Sequence, residues 1–149
     1  MYDTEIMLLA LREAKKAAAE GEVPVGAVIA REGEVIATGR NRRENEKNAL
    51  CHAEIEAINK ACKKLGGWRL NGCDIYVTLE PCPMCAGAII NARLDRVIFG
   101  AYDEKAGSFG SLVNFNDLNY NHKPEIIGSV LENECKEVLV NFFSSLRNC

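Results

Sequence analysis

The feature that most constrains the fold is a histidine and a pair of cysteines, each placed where a helix is predicted to begin. Cys82 and Cys85 follow the strand-like run 74–79. Their three-residue spacing at a helix start puts both sulfur atoms on one face, where the helix dipole favours thiolates. His52 opens another predicted helix. Two helix N-termini can therefore converge on one metal ion.

The number of candidate ligands favours an open metal site. Structural zinc normally has four protein ligands, whereas catalytic zinc keeps one position for water. Three ligands are available here, His52, Cys82 and Cys85. Cys51 is a candidate for a fourth, but adjacent side chains point apart in a regular backbone. A closed structural site with Cys51, and a redox Cys-x-x-Cys pair that needs no histidine, remain as alternatives.

Glu54 is the candidate acid–base group of this site. It follows His52 by two residues, a spacing that sends side chains to different faces of an ideal helix, so the histidine is expected in the cap or first turn. A carboxylate beside activated water can take its proton and return it to a leaving amine. Glu56 is expected to be an ordinary exposed carboxylate. His-Ala-Glu at 52–54 with Pro-Cys-Pro-Met-Cys at 81–85 is the signature of zinc-dependent nucleobase deaminases.

Hydrophobic periodicity and turn residues predict one α/β domain, residues 1–149, with three layers and a central mixed sheet. The predicted elements are a helix from Asp3 or Thr4 to about Glu20, a hairpin of 25–30 and 35–38, a helix from His52 to Leu65, a strand at 74–79, a helix from Pro81 to about Ala92, a strand at 96–100, a short strand at 126–127 and a helix at 133–146. Strand, helix and strand in succession imply a parallel, right-handed crossover. The polar stretch 101–124 is too long for a simple connector and is predicted to be a functional loop region.

Composition predicts a soluble, cytoplasmic protein without a membrane segment. A hydrophobic fraction of 48% in 149 residues is ample for one core. We find neither a signal-like N-terminus nor an apolar run of bilayer length. The seven cysteines are odd in number and widely spread, which argues against a disulfide framework. The cysteines without metal-type spacing are expected to be core or surface thiols: Cys51, Cys62, Cys73, Cys135 and Cys149.

Beyond the signature, nearly the whole chain resembles bacterial tRNA-specific adenosine deaminases of the cytidine deaminase superfamily. The similar segments are 22–27, Asn41, 68–70, 76–81, 85–89, 100–107, 110–111, 121–122, 134–135, 142–143 and Arg147. Guanine and cytosine-type deaminases share the zinc motif but do not resemble the chain beyond Gly100. The stretch from Gly100 to Arg147 therefore carries most of the substrate assignment.

The resemblance implies a three-layer α/β/α cytidine-deaminase-like fold and a hydrolase that converts adenosine to inosine at the wobble position of a tRNA anticodon. It also implies one Zn²⁺ per subunit, a tRNA anticodon loop as partner and a homodimer. A net charge of −3 predicts local RNA contacts and no global basic field. The alternatives are a guanine deaminase acting on the free base and a non-catalytic, zinc-stabilised RNA-binding module.

The resemblance further implies a set of substrate contacts. Val25 would line the base pocket, and Asn41 would contact the flipped base. Asp103 with Lys105 would approach the ribose and backbone, and Arg147 would lie near the RNA. Without the resemblance, Asn41 would be a turn residue and Asp103 a loop cap. His122 is expected to be structural or near the RNA, and not a metal ligand.

Overall fold

A computed structural model describes residues 1–147 and has one sheet covered by helices on both faces. Its elements are α1 (Asp3–Ala19), β1 (Gly26–Arg31), β2 (Glu34–Arg40), α2 (Ala53–Leu65), β3 (Cys73–Leu79), α3 (Pro83–Asn91), β4 (Arg96–Ala101), a 3-10 helix (Phe115–Asp117), β5 (Glu125–Ile127) and α4 (Glu132–Arg147). The expectation for Cys149 lies outside the described residues. Among those residues, no helix is long and apolar enough to cross a membrane.

The sheet is mixed, with the strand order β2-β1-β3-β4-β5. β1 runs antiparallel to both of its neighbours, β2 and β3. β4 runs parallel to both of its neighbours, β3 and β5. β1 and β2 form a hairpin because Glu32 and Gly33 both adopt positive φ angles, 52° and 76°, the conformation that a tight two-residue turn requires. The parallel β3–α3–β4 unit and the mixed sheet confirm the predicted α/β class.

The core has two halves, one on each face of the sheet. In β3, Ile75 and Val77 pack with α2 and α3, while Tyr76 packs with α1 and α4. The same alternation along β1 and β4 makes these strands apolar on both faces. The result is the three-layer α/β/α arrangement with α2 and α3 together on one face, so their N-termini can be neighbours.

α2 lies close to the sheet. Apart from Glu54, its buried residues are all alanines, Ala53, Ala57 and Ala61. Below it, a Cβ atom added to Gly39 of β2 would lie 2.3 Å from the carbonyl oxygen of Ala53 and 2.8 Å from the backbone nitrogen of Ala57. The absence of a side chain at Gly39 therefore sets the height of the first turn of α2 above β2.

Two predicted boundaries near the candidate ligands differ from the structure. The prediction that a helix starts at Pro81 is wrong by two residues: α3 begins at Pro83, and Cys82 is its N-cap in an extended conformation (φ −73°, ψ 173°). Proline is favoured in the first helical turn because it needs no hydrogen bond to its nitrogen there. The first strand begins at Gly26, which leaves Val25 in the preceding loop.

We predict that Gly39→Ala destabilises the protein by about 1–3 kcal/mol, because the added methyl group would force α2 away from β2. Gly67→Ala is the matched control, since a Cβ atom there meets nothing within 4 Å and Gly67 lacks a positive φ. The free energy of unfolding, measured by denaturant titration, should fall only for Gly39→Ala. Equal stability of the two variants would contradict this account of the packing.

Candidate active site

His52, Cys82 and Cys85 meet where α2 and α3 begin. His52 is the N-cap of α2 and Cys82 is the N-cap of α3, so both have extended backbones just outside the regular helix. Cys85 is fully buried in the first turn of α3. The Nδ1 atom of His52 lies 3.6 Å from the Sγ atom of each cysteine. All three donor atoms lie within 4.8 Å of one another, and this group could hold a metal ion.

The separations fit a tetrahedral zinc ion. With Zn–S near 2.3 Å and Zn–N near 2.0–2.1 Å, tetrahedral geometry places nitrogen and sulfur ligands about 3.6 Å apart. One imidazole and two thiols are also ligands that zinc accepts readily. Within residues 1–147 no further His, Cys, Asp or Glu joins the group, and Cys51 lines a different hollow, with Arg42 and Glu46. Three protein donors would leave a fourth position for water on a bound ion.

The close approach of the three ligands shifts their pKa values unequally. The hydrogen bond from Cys85 lowers the pKa of Cys82 to about 4, and the bond with His52 acts in the same direction. The hydrogen bond with Cys82, together with burial, raises the pKa of Cys85. The bond with Cys82 also raises the pKa of His52. These contacts favour the thiolate form of Cys82, which is the form that binds a cation.

Glu54 lies beside these ligands in the first turn of α2 and is only 4% exposed. Burial raises its pKa to about 7, and its carboxyl group contacts the thiol of Cys85. A carboxyl group with a pKa near neutrality can both take up and give back a proton. Because His52 precedes the helix, its side chain and that of Glu54 can share one site despite their two-residue spacing.

A pocket opens beside the three-donor group. It is lined by Val23, Val25, Asn41, Arg43, His52, Ala53, Glu54, Leu79, Glu80, Cys82, Asp103 and Ala106. Three of the predicted substrate contacts, Val25, Asn41 and Asp103, thus lie around one cavity with Glu54. The predicted contacts Lys105 and Arg147 do not line it.

Lys105 and Arg147 are both exposed. The backbone nitrogen of Lys105 donates a hydrogen bond to Asp103 Oδ1, and its side chain lies outside the pocket lining. Arg147 is the last residue of α4, where its guanidinium donates to Ser144 Oγ. Any contact of these two side chains with a ligand would therefore be made outside the pocket, and their roles stay predictions.

Asn41 and Asp103 also shape their own loops. Asn41 donates to the carbonyl oxygen of Val23 and accepts from the backbone nitrogen of Arg43, while Asp103 accepts from the backbone nitrogens of Lys105 and Ala106. Their turn and cap roles are thus real, and both nevertheless line the pocket.

Of two further side chains, one differs from what the sequence predicts. His122 has a structural contact, one of the two roles predicted for it, since its Nε2 lies 2.6 Å from the carbonyl oxygen of Leu94, and it lies outside the group of His52, Cys82 and Cys85. Glu56 is not an ordinary exposed carboxylate. Its side chain is only 18% exposed and is paired with Lys60 and Arg42.

Comparison with known proteins places the fold and the signature in a family. The model of the MafB19-like deaminase family matches residues 1–147. The tRNA-specific adenosine deaminase of Bacillus subtilis (strain 168) is 50% identical over 97% of this chain and 91% of its own length. The chain belongs to the tRNA-specific adenosine deaminase family.

Comparison with solved structures agrees with the sequence comparison. A structure from studies of A-to-I editing by tRNA:A34 deaminases at the wobble position of transfer RNA superposes with a TM-score of 0.87 and 44% identity, covering 91% of this chain and 99% of that one. The guanine deaminase of Bacillus subtilis superposes with a TM-score of 0.65 and 28% identity, covering 100% of this chain and 96% of that one. Both the fold and the sequence are closer to the tRNA deaminase.

Two buried glutamates beside the pocket are not predicted from the sequence. Glu22 is fully buried and accepts hydrogen bonds from the backbone nitrogens of Glu44 and Asn45, in the segment that follows Asn41. Burial opposes its ionisation, but these hydrogen bonds outweigh burial and lower the pKa of Glu22. Glu80, 2% exposed, lies in the pocket lining. In the sequence, each of these glutamates is next to an apolar segment: Glu22 precedes Val23, and Glu80 follows β3.

We predict that Cys85→Ser weakens zinc binding by more than about 100-fold, since loss of a direct ligand should exceed the 10–100-fold effect of removing a supporting group. Cys51→Ser is the control and should keep one zinc ion per chain. Metal content after dialysis against a chelator, measured by inductively coupled plasma mass spectrometry, distinguishes the variants. Equal loss in both would indicate a closed site that includes Cys51.

Proposed function

We propose that the protein is a zinc-dependent hydrolytic deaminase that converts adenosine to inosine at the wobble position of a tRNA anticodon. The observation that carries this proposal is the buried Glu54 carboxyl group beside a three-donor metal group in the wall of a pocket. The substrate is supported by the relatives, which are named tRNA-specific adenosine deaminase or come from work on tRNA:A34 deaminases. A tRNA substrate also implies a cytoplasmic enzyme.

His52, Cys82 and Cys85 would hold one zinc ion per chain. When bound, zinc supplies Lewis-acid activation that lowers the pKa of water toward neutrality. The protein's own contribution is to fix the three donors on two helix starts and to place Glu54 next to them.

Glu54 moves the proton in the reaction. It removes a proton from a water molecule, whose oxygen forms a bond to C6 of the adenine ring. The protonated carboxyl group then delivers this proton to the C6 amino group. The C–N bond breaks and ammonia leaves. The proton that remains on the new C6 hydroxyl group moves to N1, which gives the 6-oxo base of inosine. A pKa near 7 suits Glu54 to both halves of this cycle.

The base has to leave its stack to reach Glu54, and unstacking costs least in a single-stranded loop. We assign Val25, Asn41 and Asp103 to the flipped nucleotide because they line the pocket. Lys105 and Arg147 are assigned to the RNA backbone outside the pocket, since both are exposed cations. Arg43 in the pocket lining adds a further positive charge beside the proposed RNA path.

We predict that the protein produces inosine from an anticodon stem-loop with adenosine at the wobble position and leaves guanine unchanged. Glu54→Gln should lower kcat by at least about 100-fold, because an amide cannot carry the proton. Mass spectrometry of nucleosides after digestion of the RNA measures both results.

Glu56→Gln is the matched control, because Glu56 lies on the same helix turn but pairs, among the described residues, with Lys60 and Arg42. It should retain near-normal activity. Deamination of guanine but not of the stem-loop would favour the free-base alternative. Full activity of a zinc-loaded Glu54→Gln protein would contradict the proposed role of Glu54. Binding of the stem-loop by the zinc-loaded, unsubstituted protein without any inosine would favour the non-catalytic RNA-binding alternative.

We also propose that the protein is a homodimer, as its resemblance to the family implies. The surface of α2 and α3 offers an apolar hollow lined in part by Ile55, Ile58 and Trp68, and the Trp68 side chain is 53% exposed. Exposed apolar side chains that lie together are typical of protein interfaces.

Multi-angle light scattering should give twice the chain mass of 16.4 kDa at micromolar concentration. A mass of 16.4 kDa that does not change with concentration would contradict the dimer.

A further inference from the structure

Glu80 is a buried carboxylate whose partners, among the residues that the structure describes, are hydrogen-bond donors of a single loop. Oε1 accepts from the backbone nitrogen of Asp103 at 3.1 Å and from the hydroxyl of Ser111. Oε2 accepts from the backbone nitrogens of Phe109 and Ser111, both at 3.1 Å. We call residues 103–111 the pocket loop. It wraps around one carboxylate that has no ion-pair partner within residues 1–147.

The fit of the pocket loop around Glu80 is close. A Cβ atom added to Gly107 would lie 2.4 Å from Glu80 Oε1 and 2.4 Å from the carbonyl oxygen of Asp103. The backbone nitrogen of Gly107 donates to that carbonyl oxygen, and the backbone nitrogen of Ser108 donates to the carbonyl oxygen of Pro81. These contacts join the loop directly to the segment that carries the cysteines.

The pocket loop forms one wall of the pocket through Asp103 and Ala106. Glu80 itself is anchored, because its backbone nitrogen donates to the carbonyl oxygen of Ala101 at the end of β4. A rigid carboxylate at the edge of the sheet therefore determines where this wall stands.

We propose that Glu80 is a positioning residue for substrate binding. Its carboxylate holds the pocket loop in the one conformation that presents Asp103 and Ala106 to the nucleotide. This inference rests on the proposed function for the identity of the substrate, but its structural half concerns the loop alone. Glu80 does not touch the reacting atoms in this scheme, so its loss should affect binding more than the chemical step.

Glu80→Gln is the sharpest test, because it preserves shape and removes one acceptor. If the amide nitrogen replaces Oε2, it faces the N–H groups of Phe109 and Ser111. If it replaces Oε1, the hydroxyl of Ser111 can rotate to accept, but the N–H of Asp103 still meets a donor. The second orientation has fewer conflicts, and its conflict falls on the residue that lines the pocket. Asp103 should therefore move.

The experiment compares Glu80→Gln, Glu80→Asp and Glu13→Gln on an anticodon stem-loop RNA. Glu13 is the matched control, a glutamate on α1 that is 8% exposed and does not contact the pocket loop. For Glu80→Gln we expect KM to rise about 10-fold or more with kcat changed by less than about 3-fold, as lost uniform binding predicts. Glu80→Asp, which keeps the charge, should recover part of the loss, and Glu13→Gln should leave KM unchanged.

Hydrogen exchange supplies a readout that is independent of activity. Amides of the pocket loop should exchange faster in Glu80→Gln and at the normal rate in Glu13→Gln, while zinc content stays equal. Unchanged KM and unchanged exchange would overturn the proposal. So would a loss of activity that follows zinc content or melting temperature, with KM unchanged. If the unsubstituted protein left the stem-loop unmodified, the proposed function would fail, and exchange would still decide whether Glu80 holds the loop.

Discussion

The convergence of two helix N-termini on one point is the constraint on which the site depends. α2 and α3 lie on the same face of the sheet, and each contributes its N-cap residue, His52 or Cys82, to the three-donor group. N-cap residues have extended backbones, so their side chains can turn toward the neighbouring helix start. The alanines on the buried face of α2 and the absence of a side chain at Gly39 allow α2 to approach the sheet. The packing of the core therefore also determines where the three donor atoms lie.

Three buried glutamates around the pocket show how surroundings determine what a carboxyl group does. Glu54 gains few compensating hydrogen bonds, so burial raises its pKa to about 7 and it can carry a proton. Glu22 accepts backbone N–H groups that lower its pKa, which keeps it an anion that orders the segment after Asn41. Glu80 is surrounded by four donors of the pocket loop. The pocket thus has one carboxyl group suited to chemistry and two that fix its walls.

Much of this arrangement follows from local sequence signals. The three-residue spacing of Cys82 and Cys85 predicts that they share one face of a helix start. The two-residue separation of His52 and Glu54 predicts that the histidine is the cap of its helix, and the structure has it there. The sequence alone does not distinguish Pro81 from Pro83 as the start of α3, because proline is acceptable at either position. The extended backbone of Cys82 places the start at Pro83.

The roles of Glu22 and Glu80 could not be predicted, because their partners lie more than 20 residues away and most of them are backbone nitrogens, which carry no sequence signal. The predicted RNA contacts of Lys105 and Arg147 rest on resemblance. Whether either side chain reaches the pocket depends on the path of the whole loop or helix, which the sequence alone does not show.

X-ray absorption spectroscopy at the zinc edge tests most directly whether the protein has an open metal site with three protein ligands. We predict two sulfur ligands at about 2.3 Å, one imidazole nitrogen at about 2.0–2.1 Å and one further light atom from solvent. A spectrum with three or four sulfur ligands would contradict it, because the site would then be closed and Glu54 would have no activated water to work on.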